Sequence, residues 1–144
     1  MSAFTDAELE YLNTQPLMRF ATASPTGSPD VAPVIFEIDG DDIITGGFDI
    51  THTVRYRNIR NNPRATVVVD DLASFDPWSP RGIKVIGSAA IEEVAGAPRF
   101  RITPASQRRF SVRVRSPRWA SSAMSSASCN RSSASGWRRT RLRA

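Results

Sequence analysis

From residue 17 onward the chain reads as a series of short alternating segments. Over 17–24, Leu17, Arg19 and Ala21 share one face of an extended segment and Met18, Phe20 and Thr22 the other, which predicts a strand. Pro25-Thr26-Gly27-Ser28 supplies a turn. A second strand follows over 31–38, and Pro33 inside it marks an edge or an opening of the ladder. Asp39-Gly40 is a hairpin signal, and 42–45 reads as a third strand. The apolar, β-branched run over 65–70 predicts a strand buried on both faces. Over 83–94 the alternation is clean: Ile83, Val85, Gly87, Ala89 and Ile91 share one face, with Gly87 a bulge position. Arg99 opens a sixth strand, RFRIT. Two segments read as helices instead. Thr5-Asp6-Ala7-Glu8 is a capping box, with Phe4 and Leu9 as its staple, and predicts a helix over 6–13 that Pro16 closes off. Gly46-Gly47 breaks the third strand, and a helix over 51–61 follows, with Asp49 or Thr51 as N-cap. Ile50, Val54 and Ile59 share a face of it, and Asn61-Asn62-Pro63 stops it. DLASFDPWSPRG, 71–82, reads as a loop. Short antiparallel strands with two small helices predict a mainly β domain, a small barrel or sandwich.

Composition divides this picture. The length of 144 residues fits one domain. No apolar run reaches about 18 residues, and the acidic start MSAFTDAELE lacks a signal-peptide core. The single Cys129 excludes an internal disulfide framework, so a reducing cytoplasm is the expected compartment. All 14 acidic residues lie at or before Glu93, against seven basic ones before residue 99, a balance of −7. Residues 99–144 hold twelve Arg and no acid, which turns the whole chain to +5. From Ala105 on, Arg, Ser and Ala dominate without periodicity. Such a segment buries too little apolar surface to offset its ordering entropy. We therefore expect a folded domain over 1–104 and a tail over 105–144 that is disordered or derived from a frameshift in GC-rich DNA.

Candidate chemistry concentrates in 44–69, ITGGFDITHTVRYRNIRNNPRATVVV. A helix N-terminus offers free amides and partial positive charge to a phosphate. Thr51 and Thr53 would add hydroxyls, and Arg55, with Arg57 nearby, a bidentate clamp. Gly46-Gly47 would let a ligand approach the backbone. The ordinary alternative is an amphipathic helix with a solvated Arg face. His52, the only histidine, has no Ser, Cys or carboxylate motif beside it, so a capping or surface role is expected before an acid–base one. Asp70, Asp71 and Asp76 match no cation-loop spacing. Phe75 and Trp78 could wall a flat ring or plug a barrel end. No triad elbow, P-loop, HExxH or GxGxxG occurs.

Four segments in order, FTDAELEYLNTQ, RFATASPTGSPDVAPV, RYRNIRNNPRATVVVDD and DPWSPRGIKVIGSA, carry a resemblance. Together they resemble the pyridoxamine 5′-phosphate oxidase-like flavin/deazaflavin split barrels, and most of all the branch dependent on coenzyme F420. The resemblance implies a six-stranded antiparallel split β-barrel of the FMN-binding type. It implies a homodimer with F420, or alternatively FMN, at the subunit interface. Arg55 falls on the phosphate-binding position, Thr53 two before it, and Arg57 on a further basic position of the same motif. Thr45 and Gly46 would lie beneath the ring, Pro33 and Val34 along it, and Pro80 and Arg81 in a loop characteristic of the branch. The implied activity is hydride transfer to an unsaturated organic small molecule. The cofactor would carry the chemistry, with no catalytic side chain and no metal. Two other classes are a non-catalytic cofactor carrier and, third, a nucleic-acid binder acting through the Arg-rich tail. Neither a membrane nor a nucleic acid is the expected partner. The family pattern breaks after Arg101-Ile102-Thr103-Pro104, where a regular closing strand would continue.

Overall fold

The computed structural model describes residues 3–111, with side chains described up to Gln107. Helix α1, Asp6–Asn13, starts on Thr5, whose hydroxyl accepts from the Glu8 amide while the Glu8 carboxylate accepts from the Thr5 amide at 2.8 Å. This is the expected capping box. The strands are β1 (Met18–Ala23), β2 (Pro29–Val34), β3 (Glu37–Asp39), β4 (Asp42–Thr45), β5 (Arg64–Phe75), β6 (Trp78–Val94) and β7 (Ala97–Ser111). A 3₁₀ turn, Ile50–His52, and helix α2, Val54–Asn61, stand between β4 and β5.

All seven strands form one antiparallel sheet in the order β2-β1-β5-β6-β7-β4-β3. Its two outer strands, β2 and β3, are joined by only Ile35 and Phe36. So short a link brings the two edges together, and the sheet must roll into a barrel. The Thr45 hydroxyl seals the seam by donating to the Ile35 carbonyl at 2.7 Å. The strand count is seven rather than the expected six. The difference arises because the second strand breaks at Ile35-Phe36 and resumes as β3. The core inside the roll includes Met18, Phe20, Ile43, Val67, Val85, Phe100 and Ile102, all buried. Phe100 meets Phe20 edge-on at 5.4 Å between ring centres, and Tyr56 of α2 meets Phe100 at 6.4 Å.

Two expectations about the stretch 71–82 need correction. The stretch 71–82 is not a loop, because β5 runs to Phe75 and β6 starts at Trp78, paired along their length. Pro77 sits in the turn, where it breaks no ladder bond, and Pro80 lies opposite Leu72. Phe75, mostly exposed, stacks edge-on with Trp78 at this hairpin tip rather than plugging the barrel. Strand β7 pairs with β6 as far as Ser111 and so runs through positions 104 and 105. The tail expectation over 112–144 lies outside the described residues. A bulge lies next to Gly87, but its extra residue is on the facing strand: Ile86 pairs with Ser106 and Gly87 with Pro104, which leaves Ala105 of β7 unpaired, and a Cβ on Gly87 would overlap the Thr103 carbonyl oxygen.

Candidate cofactor site

The expected single helix over 51–61 is two elements. The 3₁₀ turn buries Ile50, and α2 begins only at Val54 with Thr53 as its N-cap. The Thr53 hydroxyl accepts from the Tyr56 amide at 3.2 Å and donates to the Ile50 carbonyl at 2.6 Å. The Thr51 hydroxyl donates to Asp49 at 2.7 Å. Both hydroxyl protons are thus committed, and neither threonine is a spare donor. Val54, expected on the buried face, is 44% exposed, because the half-turn shift at Thr53 rotates it outward. Ile50 and Ile59 are buried as expected, and Asn58 faces inward with Ile59.

Two amide side chains seat α2. Asn58, buried, donates to the buried Thr22 hydroxyl at 3.0 Å, and Asn62 donates to the Ala23 carbonyl at 3.1 Å. The Ala89 amide reaches the Pro63 carbonyl at 2.7 Å. The helix is therefore held by β1 and β6 and presents its start outward.

That start is electrostatically incomplete. A helix N-terminus favours negative charge, yet α2 has no acid in its first turn and carries Arg55 there. Arg55 is half-buried, and neither it nor exposed Arg57 makes an ion pair among the described residues. The cap takes the Tyr56 amide and the helical ladder takes the Arg57 amide. The amides of Val54 and Arg55 remain at the helix start. Two amides and a guanidinium suit a phosphate, so this donor set fits a phosphorylated cofactor.

The expected ring-side residues lie at the seam. Ile35, Phe36, Glu37, Ile44, Thr45 and Gly46 line a cleft of about 180 Å³. Thr45 is buried under it, and a Cβ on Gly46 would touch only the Arg99 Cβ at 3.7 Å. Val34, buried, and Pro33, exposed, lead into this cleft along β2. The cleft is smaller than the roughly 300 Å³ of a full ligand site. A larger hollow of about 460 Å³ lies on the sheet between β1, β5, β6 and β7, lined by Ala21, Ala23, Arg64, Thr66, Ile86 and Ala105. The register row Val31–Ala21–Thr66–Ile86 crosses it, with Val31 64% and Ile86 43% exposed.

Pro80 and Arg81 lie on β6 near the β5–β6 hairpin, where Arg81 is engaged by Asp71. Arg81 stands eight residues along β6 from Ala89, where α2 ends, or about 26 Å of extended chain. Its guanidinium grips Asp71 at 2.7 and 2.9 Å and lies 5.2 Å over the Tyr11 ring. Arg81 holds the Asp71 carboxyl below its ordinary range. Tyr11, whose hydroxyl donates to Asp71 at 3.3 Å, is pushed up to about 12, first by burial and then by the Asp71 charge. Among the described residues no group of His, Cys, Asp and Glu is arranged to hold a metal.

Sequence reasoning missed a partner of His52. Its Nδ1 lies 2.8 and 2.9 Å from the Asp49 carboxylate. The signal was present as D-x-x-H, which one turn of 3₁₀ helix brings together.

The comparisons with known proteins agree with this fold. A profile of the pyridoxamine 5′-phosphate oxidase family matches residues 4–128. The chain is 36% identical over 98 residues to a 5a,11a-dehydrotetracycline/5a,11a-dehydrooxytetracycline reductase of Streptomyces rimosus, covering 67% of this chain and 69% of that one. Among solved structures, an FAD-binding protein of Mesorhizobium loti superposes with a TM-score of 0.62 at 16% identity, covering 76% of this chain and 96% of that one. An F420 reductase superposes at 0.54 with 22% identity, covering 69% and 94%. These structural likenesses bear on the fold, and the match along the sequence bears on descent. This chain belongs to the pyridoxamine 5′-phosphate oxidase family of split β-barrels.

Proposed function

We propose that this protein is an F420-dependent reductase, with FMN as the alternative cofactor, that transfers hydride to an unsaturated organic small molecule. The observation that carries this reading is the start of α2, with free amides, no first-turn acid and a half-buried Arg55 without an ion pair. Arg55, with Arg57 beside it, binds the cofactor phosphate. Thr53 and Thr51 shape the turn that presents those groups. Thr45 and Gly46 lie beneath the ring, and Pro33 and Val34 run along it. The bound cofactor supplies the hydride chemistry, and the chain binds and orients it. The reductase named for the Streptomyces rimosus relative supports the reaction class.

The working unit of this reading is a cytoplasmic homodimer. The 180 Å³ cleft needs a second wall, and the apolar row through Val31 and Ile86 offers a surface for a second copy. Such a copy would bring Pro80 and Arg81 to the groove that one chain leaves open.

Titration of the protein with F420 and with FMN, followed by reduction and addition of 5a,11a-dehydrotetracycline as probe, tests the proposal. Saturable binding and probe-dependent reoxidation are expected. Tight binding without turnover would favour a carrier, and absence of binding to either cofactor would overturn the reading.

A further inference from the structure

Reduction of a carbon–carbon double bond conjugated to a carbonyl needs more than a hydride. When hydride adds to the β-carbon, the π bond breaks and its electron pair moves onto the carbonyl oxygen as an enolate. One proton must then reach the α-carbon. In the reductase reading, on which this inference rests, the hydride comes from the reduced deazaflavin or flavin, and the proton source is unassigned.

The segment between the ring-side residues and the phosphate end carries one acid–base pair. His52 and Asp49 lie between Gly46 and Arg55, in the turn that joins β4 to α2. The Asp49 carboxylate accepts from the His52 ring at Nδ1, at 2.8 Å, and the Thr51 hydroxyl donates to the same carboxylate. Among the described residues, the ring nitrogens contact only Asp49 and the Thr51 hydroxyl, and both contacts are at Nδ1. Nε2 is left to the outside, on a side chain 84% exposed. A carboxylate on Nδ1 fixes the ring orientation and stabilises the imidazolium. Asp49 is itself held below its ordinary carboxylate range, first by the His52 hydrogen bond and then by Thr51. Phe48, fully exposed beside the pair, gives the same segment an apolar surface against which an organic substrate can rest.

We propose that His52, held by Asp49, donates the proton that completes the reduction. The Nε2–H bond breaks and a C–H bond forms at the α-carbon of the enolate. The imidazole then takes a proton from water. Substrate gains one hydride and one proton, the cofactor is oxidised, and His52 returns to its starting state.

Because His52 is the only histidine, its ring nitrogens give unambiguous ¹⁵N resonances. In the cofactor-free protein the neutral ring should be the Nδ1–H tautomer, and Asp49→Asn should remove that preference. A dominant Nε2–H tautomer in wild type would overturn the assignment. In the loaded protein with 5a,11a-dehydrotetracycline, His52→Ala should lower kcat about 10²- to 10³-fold. Its cofactor affinity should stay within about twofold of wild type. Added imidazole should restore at least part of the rate, since the site is open to solvent; a merely structural histidine would not be rescued. Equal turnover in wild type and His52→Ala, or a loss that imidazole leaves unchanged, would overturn the proton-donor role alone. A wild-type protein that binds no cofactor, or never turns over the probe, would instead overturn the reductase reading beneath it.

Discussion

One buried pair contributes to the seating of α2, and removing it should be measurable. Asn58 and Thr22 are each 5% exposed, and their side chains meet at 3.0 Å. Asn58→Ala removes a hydrogen bond worth about 1 kcal/mol and leaves the Thr22 hydroxyl buried without that partner, a further cost of about 1–2 kcal/mol. The expected total is about 2–3 kcal/mol. Thr22→Val keeps the volume and strands the Asn58 amide, for about 1–3 kcal/mol. In the double variant neither group is stranded, so its cost should fall short of the sum of the single costs by about 1–2 kcal/mol. Urea unfolding at constant slope measures all three. Asn62 still ties the helix to Ala23, so the variants should remain folded. Single costs that sum to the double within about 0.5 kcal/mol would refute the claim that this pair couples α2 to β1.

Other predictions concern the bulge and the Tyr11 cluster. Gly87→Val places a side chain against the Thr103 backbone and should destabilise by at least about 1–3 kcal/mol in the same urea assay, whereas Gly46→Ala should cost far less. Asp71 is depressed in the folded state, first by its Arg81 hydrogen bond. Its contribution is present above the ordinary carboxylate range and is lost as pH falls through the depressed value. Asp71→Asn should therefore flatten the acid limb of stability against pH. Tyr11 is raised from 10.0 to about 12, so its contribution is whole below pH 10 and is lost as pH rises toward 12. Tyr11→Phe should remove that alkaline loss. Tyrosinate absorbance in Asp71→Asn should show only a partial fall in the Tyr11 value, because burial is the larger cause.

Local rules worked where a few neighbouring residues decide the outcome. The Thr5–Glu8 box and the Asp39-Gly40 turn with Gly40 at a φ of 63° follow from residues in immediate contact. They failed where distant pairing decides. DLASFDPWSPRG has the composition of a loop, yet β5 and β6 extend each other's ladders through it, and Tyr11 and Gln15 of the first helical region tie down Asp71. The first part of the Arg/Ser-rich stretch lacks alternation but pairs with β6 through backbone groups, which do not depend on side-chain pattern. At the site, the sequence offered Asp49 or Thr51 as the cap, and the structure uses Thr53 instead. Burial of Ile50 at 1% exposure goes with Thr53, a choice no local rule contains. Arg55 was legible as the basic residue of the helix start. Its lack of an ion pair among the described residues was not, because the Arg81–Asp71 and Arg101–Glu92 pairings that occupy other charges form across strands.

The central claim is that Arg55 and the start of α2 hold a cofactor phosphate. The most direct measurement is the affinity of wild type and Arg55→Ala for two ligands that differ only by that phosphate, FMN and riboflavin. Charge-assisted hydrogen bonds to a phosphate contribute about 1.5–3 kcal/mol. Wild type should therefore prefer the phosphorylated ligand, and Arg55→Ala should weaken its binding roughly 10- to 150-fold while leaving the phosphate-free ligand nearly unchanged. Equal losses for both ligands, or no loss for either, would contradict the account.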